Sequence, residues 1–151
     1  MQREWFKKQL NMACELEMPV IIHSRDANDE VCDIIEASSA RKGVIHSFSG
    51  DAVLAAKYVE LGFYIGIGGV VTFKKADALK DVCKQIHLSK MLLETDCPYL
   101  APHPFRGKRC DSTKLKLVAE EIARIKGVSV EEVCTATTQN AKDLFGFCTW
   151  I

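Results

Sequence analysis

Four short, almost uninterrupted apolar runs, each set apart from the next by a stretch of helical periodicity, confine this chain to a narrow set of folds. The runs are Pro19–His23, Gly43–Phe48, Phe63–Gly69 and Met91–Thr95. They lack the in–out alternation of a half-solvated strand, so they read as strands of a parallel sheet covered on both faces. The intervening stretches repeat apolar residues every three to four positions. Phe6, Leu10, Ala13 and Cys14 mark the first helix, Val31, Ile34 and Ile35 the second, with Asp26 as its expected cap. Leu54, Tyr58 and Leu61 mark the third, and "ADALKDVCKQI" the fourth. Beyond a proline-rich loop, Leu115, Val118, Ala119, Ile122 and Ile125 form another stripe, and Ser129 with Glu132 three residues on reads as a capping box. Strand, helix, strand, helix at roughly 20–30-residue intervals is the rhythm of an α/β protein with right-handed crossovers.

The length, 151 residues, bounds the chain to one domain, 1–151. Twenty basic and twenty acidic residues balance, so bulk charge argues neither for nucleic acid nor for a membrane surface, and any basic contact must be local. The seven cysteines are scattered, odd in number and form no C-x-x-C. Reduced thiols in a cytoplasmic or nuclear chain fit that pattern better than a disulfide framework or a zinc knuckle. No apolar stretch approaches the ~18 residues a membrane span requires.

Parallel sheets place ligands at the carboxyl ends of their strands, and here those ends carry unusual chemistry. The first run ends in His23 followed by Ser24 and Arg25; the second reaches His46 and then Ser47; the third runs into Gly66, Gly68 and Gly69; the fourth closes on Glu94 and Asp96. Thr95 lies between the two acids, so both carboxylates face the same side. Two such groups side by side need a cation, either a metal or an arginine such as Arg25. Imidazole and carboxylate donors arriving from three strands suit zinc, manganese or a similar ion. The glycines of "GIGG" read as room for close backbone packing, since no Lys-Ser or Lys-Thr follows to make a phosphate loop. The long segment Pro98–Asp111 holds three of the four prolines and a basic cluster, Arg106, Lys108 and Arg109, which together with Arg25 are the candidate phosphate contacts. Lys74 and Lys75 read as solvated surface, Cys97 as a packing residue, and His87 and His103 carry no assigned role.

With these residues in view, the sequence resembles the TatD family of metal-dependent deoxyribonucleases. The resemblance lies in "MPVIIHSRDA", "GVIHSFSG", "YIGIGG" with the following "VTF", "LLETDCPYLAPHPFRGKR" and "TTQNAKDLFG", and extends from Gln2 to about Gly146. It implies a (β/α)₈ barrel of TIM type with two divalent metal ions, magnesium, manganese and zinc being indistinguishable, and DNA as substrate. His23 and His46 would fall on metal-binding histidines. Asp96 would fall on the aspartate that binds metal and accepts the proton of the attacking water. Glu94 reads as the acceptor that holds a ligand histidine's other N–H.

The chain departs from the family pattern in two places. "RCDST" stands where Arg-Asn-Glu-Pro is usual, putting Cys110, Asp111 and Ser112 in that loop. The family's opening His-x-His strand and its later metal-binding glutamate have no counterpart, so Met1 aligns before the fifth strand. The expectation is a partial barrel of about four parallel strands, family strands five to eight, with an incomplete metal centre and little hydrolysis by this chain alone. Two alternatives stand beside it: a noncatalytic half-barrel module that self-associates through its open edges, and a metal-dependent deacylase acting on aminoacyl-tRNA.

Overall fold

The structure, a computed structural model, describes residues 1–146; Cys148 lies outside the described residues. Four strands, β1 (Val20–His23), β2 (Gly43–His46), β3 (Phe63–Ile67) and β4 (Met91–Leu93), form one parallel sheet in the order β1-β2-β3-β4. Six α-helices accompany them: α1 (Gln2–Glu15), α2 (Asn28–Glu36), α3 (Ala52–Glu60), α4 (Asp77–Gln85), α5 (Leu115–Lys126) and α6 (Val130–Phe145). Each expected strand and helix is present. The strands stop two residues earlier than their apolar runs wherever those runs carry on into the site loops. No described helix is long and apolar enough to cross a membrane.

The core lies on one face of the sheet. Ile22, Ile45, Phe63, Ile65, Ile67 and Met91 meet Ile35, Ala55, Tyr58, Val82, Val118 and Ile122 from the helices. Tyr58 is fully buried, and its hydroxyl donates to Asn28 O at 3.1 Å, so its ring serves the core while its polar end is satisfied. Two α-helices are capped at their N-termini by side chains, at Ser129 as expected and at Asp51 without a prior expectation. The Asp51 carboxylate accepts from Leu54 N at 2.9 Å, and Ser129 Oγ accepts from Glu132 N at 3.1 Å. At α2 the expectation fails: Ala27 is the N-cap, without a side-chain hydrogen bond, and Asp26 sits in a turn at φ 55°.

The opposite face is where the sequence expectation of two covered sides needs correcting. Val44 and Leu92 pack there against Leu144, with Tyr64, Ala141 and Phe145 around them. Helix α6 is anchored beside β4 by Asn140, whose Nδ2 donates to Leu88 O at 2.7 Å and Met91 O at 2.8 Å. That cover does not reach β1, where Ile21 is 65% exposed. Apolar composition marks a residue suited to burial, but it does not say that a partner layer is present.

Candidate active site

The side chains on this second face follow from strand alternation. His23 and His46 are register partners in β1 and β2, so parallel pairing sets their Cα atoms side by side at the carboxyl edge, with ring centroids 5.9 Å apart. Residues Glu94 and Asp96 follow β4 directly. The strand-like path continues through Glu94, whose N–H donates to Ile67 O at 3.1 Å, which keeps the two-residue alternation and aims both carboxylates at one target. That target is His46. Its Nδ1 lies 2.9 Å from Glu94 Oε2 and its Nε2 2.9 Å from Asp96 Oδ1.

A neutral imidazole carries one N–H and donates once; only the imidazolium donates from both nitrogens. Burial by itself pulls the His46 pKa down, but the hydrogen bond to Glu94 and the charges of Glu94 and Asp96 outweigh it, so the net direction is upward. Burial pushes the Glu94 carboxyl up, against the opposing pull of His46 and the Ser47 N–H. The paired acids are therefore reconciled by His46 and Ser47. The expected arginine is absent from this cluster: Arg25 makes no hydrogen bond or ion pair among the described residues.

Ser47 is the residue that sequence reasoning passed over. It adopts φ 48°, a left-handed conformation uncommon for serine. In that conformation its N–H donates to Glu94 Oε1 and its hydroxyl donates to Asp96 Oδ2 at 2.9 Å. It thus ties both carboxylates from the strand that also carries His46. The only signal in the sequence was its place, one residue beyond a strand-end histidine. Two glycines make the approach feasible. A Cβ on Gly66 would stand 2.5 Å from Glu94 Oε2 and 2.6 Å from Oε1, and one on Gly69 would stand 2.4 Å from Leu100 O. The "GIGG" stretch therefore gives room to the acidic strand end and to the loop that leaves it, which sharpens the packing role expected of it.

Other candidates are placed elsewhere. Arg106 stacks over the Phe73 ring at 4.6 Å, and Arg109 is exposed on the loop; no contact joins either to His46 among the described residues. The loop is closed at its base by Cys110 N donating to Pro98 O at 2.9 Å, and Asp111 caps the next turn through Thr113 N at 3.0 Å. Cys97 is exposed and bonds Thr95 Oγ1 at 3.0 Å, so it is not the packing residue expected. His87 serves a local turn with Ser89. Arg25 shares a cleft of about 640 Å³ with His23 and Ser24.

The donor chemistry suits a divalent ion. His46 Nε2 and Asp96 Oδ1 are an imidazole nitrogen and a carboxylate oxygen, donor types that such ions take, and here they are joined by a 2.9 Å hydrogen bond. Glu94 on Nδ1 is the partner that a metal-binding histidine ordinarily keeps. The number of donors is the shortfall: among the described residues no group of three or more His, Cys, Asp or Glu side chains is placed to hold a metal.

Residues 1–146 match the family model described as TatD related DNase. The chain belongs to that family. Among its TatD relatives, the "Uncharacterized metal-dependent hydrolase YabD" of Bacillus subtilis is 46% identical over 146 residues, covering 95% of this chain and 57% of that protein. The "Uncharacterized metal-dependent hydrolase YcfH" of Escherichia coli K12 is 42% identical, covering 95% and 55%. The crystal structure of the TatD homologue YjjV from Escherichia coli K12 superposes with a TM-score of 0.87 at 31% identity, over 93% of this chain and 54% of that one. The chain thus spans about half the length of the curated relatives it matches.

Proposed function

We propose that this chain supplies one side of a TatD-type, metal-dependent phosphodiesterase site acting on DNA. The observation that carries the reading is His46 held between Glu94 and Asp96, beside His23, at the carboxyl edge of a parallel sheet. His23, His46 and Asp96 are the residues that would hold divalent metal, with Glu94 fixing the ring of His46. When bound, such ions supply Lewis acidity to a phosphoryl oxygen and make water easier to deprotonate. The rest falls to the protein. Asp96 accepts the water proton on its carboxylate, which the Ser47 hydroxyl keeps from rotating away. Glu94 keeps His46 from turning. The phosphate class is supported by the arginines near the rim, Arg25 before the others.

A four-stranded sheet does not close into a barrel at this geometry. We therefore read it as the C-terminal half of an eight-stranded TIM-type barrel, family strands five to eight, in keeping with the half-length match to relatives. The test is hydrolysis of single-stranded DNA, with metal content measured by mass spectrometry. The 151-residue chain is expected to bind fewer than two equivalents of metal and to cleave little. Longer TatD forms that contain these strands should lose about 10²–10⁴-fold in rate on substitution of the equivalent of Asp96 by Asn. Robust EDTA-sensitive cleavage by this chain, or an active Asp96→Asn form, would overturn the reading.

A second reading rests on a separate observation. Along the α1–β1 edge, Trp5, Met12, Leu16, Met18 and Ile21 are all exposed by more than half, beside the open outer edge of β1, which pairs on its other side with β2. Such an edge suits self-association, restoring strand pairing to β1. Light scattering checks it: a concentration-independent monomer mass rules it out.

A further inference from the structure

Two thiols meet where the proline-rich loop leaves the acidic strand end and rejoins the fold. Cys97 opens the loop directly after Asp96, and Cys110 closes it, its N–H donating to Pro98 O at 2.9 Å. The same closure brings their side chains together: the Cys97 sulfur lies within hydrogen-bonding reach of the Cys110 sulfur. We propose that Cys97 and Cys110 are a reversible redox pair, oxidised by hydrogen peroxide to a disulfide that pins the base of this loop. The pair requires no metal and is independent of the substrate.

The two thiols are unequal, and that sets the order of events. Cys97 is exposed, whereas Cys110 is only 3% exposed, so an oxidant dissolved in water reaches Cys97 first. Neither sulfur is held firmly where it is. The Cys97 thiol donates to Thr95 Oγ1 at 3.0 Å, and the Cys110 thiol to Asp111 O at 3.8 Å; a thiol is a weak donor in both. A disulfide needs its sulfurs at about 2.05 Å. The backbone bond from Cys110 to Pro98 already joins the two segments, so closure asks mainly for rotation of the exposed Cys97 side chain. The other described cysteines, Cys14, Cys32, Cys83 and Cys134, lie on four separate helices, α1, α2, α4 and α6.

The chemistry balances with one peroxide. The Cys97 thiolate attacks a peroxide oxygen, the O–O bond breaks, and the departing hydroxide takes up a proton to leave as water. Cys97 is then a sulfenic acid. Cys110 gives up its proton and attacks the Cys97 sulfur; the S–S bond forms, the S–O bond breaks, and a second water leaves. Two thiols lose two electrons between them and the peroxide gains both. A small thiol reverses the step by exchange. The consequence is mechanical. The loop carries Arg106 and Arg109 and is held at its middle by His103 N donating to Thr72 Oγ1 at 2.8 Å. The disulfide adds a covalent tie at its base, one residue from Asp96.

The test is oxidation of the reduced 151-residue chain by hydrogen peroxide in EDTA, followed by alkylation and trypsin digestion without reductant. Cleavage after Lys90, Arg106, Arg109 and Lys114 puts Cys97 and Cys110 on separate peptides. These are expected as a linked pair that forms at least about tenfold faster in the folded chain than in urea and that dithiothreitol separates. Cys110→Ser should let Cys97 run on to sulfinic acid, and Cys97→Ser should leave Cys110 as a thiol under the same exposure. Hydrogen exchange at the Cys110 amide should slow about tenfold on oxidation, as a pinned loop base opens less often. Linking at the same rate in urea overturns the proposal, as does sulfinic acid at Cys97 of the parent in place of a link. So does Cys97 joined to another cysteine or to a second chain, or an unchanged Cys110 amide.

Discussion

The two faces of the sheet are built from the same four strands, yet they obey different rules. On the helix-covered face, Ile45, Phe63, Ile65 and Ile67 are sealed against α2 to α5, and polar atoms are confined to satisfied ends such as the Tyr58 hydroxyl. On the other face, one residue along in each strand, His23, His46, Gly66 and Glu94 stand at the rim and Ile21 is open to water. The first face obtains its stability from area removed from water. The second spends part of that gain to hold two carboxylates and an imidazole together. A one-residue change of register would exchange the two sets of side chains, so the pairing of the strands places the chemistry.

The contrast can be broken most strongly from the covered side. Replacing the fully buried Ile65 by Ala should lower the unfolding free energy by about 2–5 kcal/mol in urea titration. Next comes Gly66→Ala: the added methyl meets the Glu94 carboxylate, which should swing away from His46 and Ser47 and cost about 1–3 kcal/mol in lost hydrogen bonds. Nitrogen NMR of the His46 ring should then show Nδ1 released, and an unchanged ring would refute the close fit. The cap on α3 is worth less, about 1 kcal/mol on Asp51→Ala in the same denaturation assay. Smallest of all, Ile21→Ser on the open face should stay within about 0.5 kcal/mol of the parent; a large loss would show that this face is covered in solution.

Acidity offers a finer probe of the rim. The folded pKa of His46 lies above its ordinary value of 6.5. The folded state then binds the imidazole proton more tightly than the unfolded chain does. Its contribution to stability is fully present below about 6.5 and is lost as pH rises through the raised folded value. Comparing the chain with His46→Gln by denaturation at several pH values above 6 should show a decline in the parent that is absent in the variant. Parallel curves would place His46 outside the carboxylate network.

Much of the fold was legible because its signals are local. Continuous apolar runs, helical stripes and the Ser129 cap depend on residues within a few positions of each other, and each appears where expected. The cap at Asp26 failed for a local reason too: a turn at positive φ intervenes, and the helix starts two residues later. At the site, His46, Glu94 and Asp96 could be read together because strand ends of a parallel sheet converge. Ser47, Gly66 and Ser24 could not. Serine and glycine are common in loops, and what distinguishes these three is a backbone angle, a 2.5 Å approach and an unpartnered hydroxyl, each of which involves atoms far away in the chain. Arg106 shows the converse, since its charge suggested the site while its side chain rests on Phe73.

The order and kind of the elements, and the residue types brought to the strand ends, were determined by the linear chain, because hydrophobic period and turn chemistry act over short separations. Which face is sealed, that His46 rather than an arginine reconciles the two acids, and that Ser24 is left without a partner were decided only in three dimensions. Those outcomes depend on distances between segments tens of residues apart, and pairing register and packing settle them.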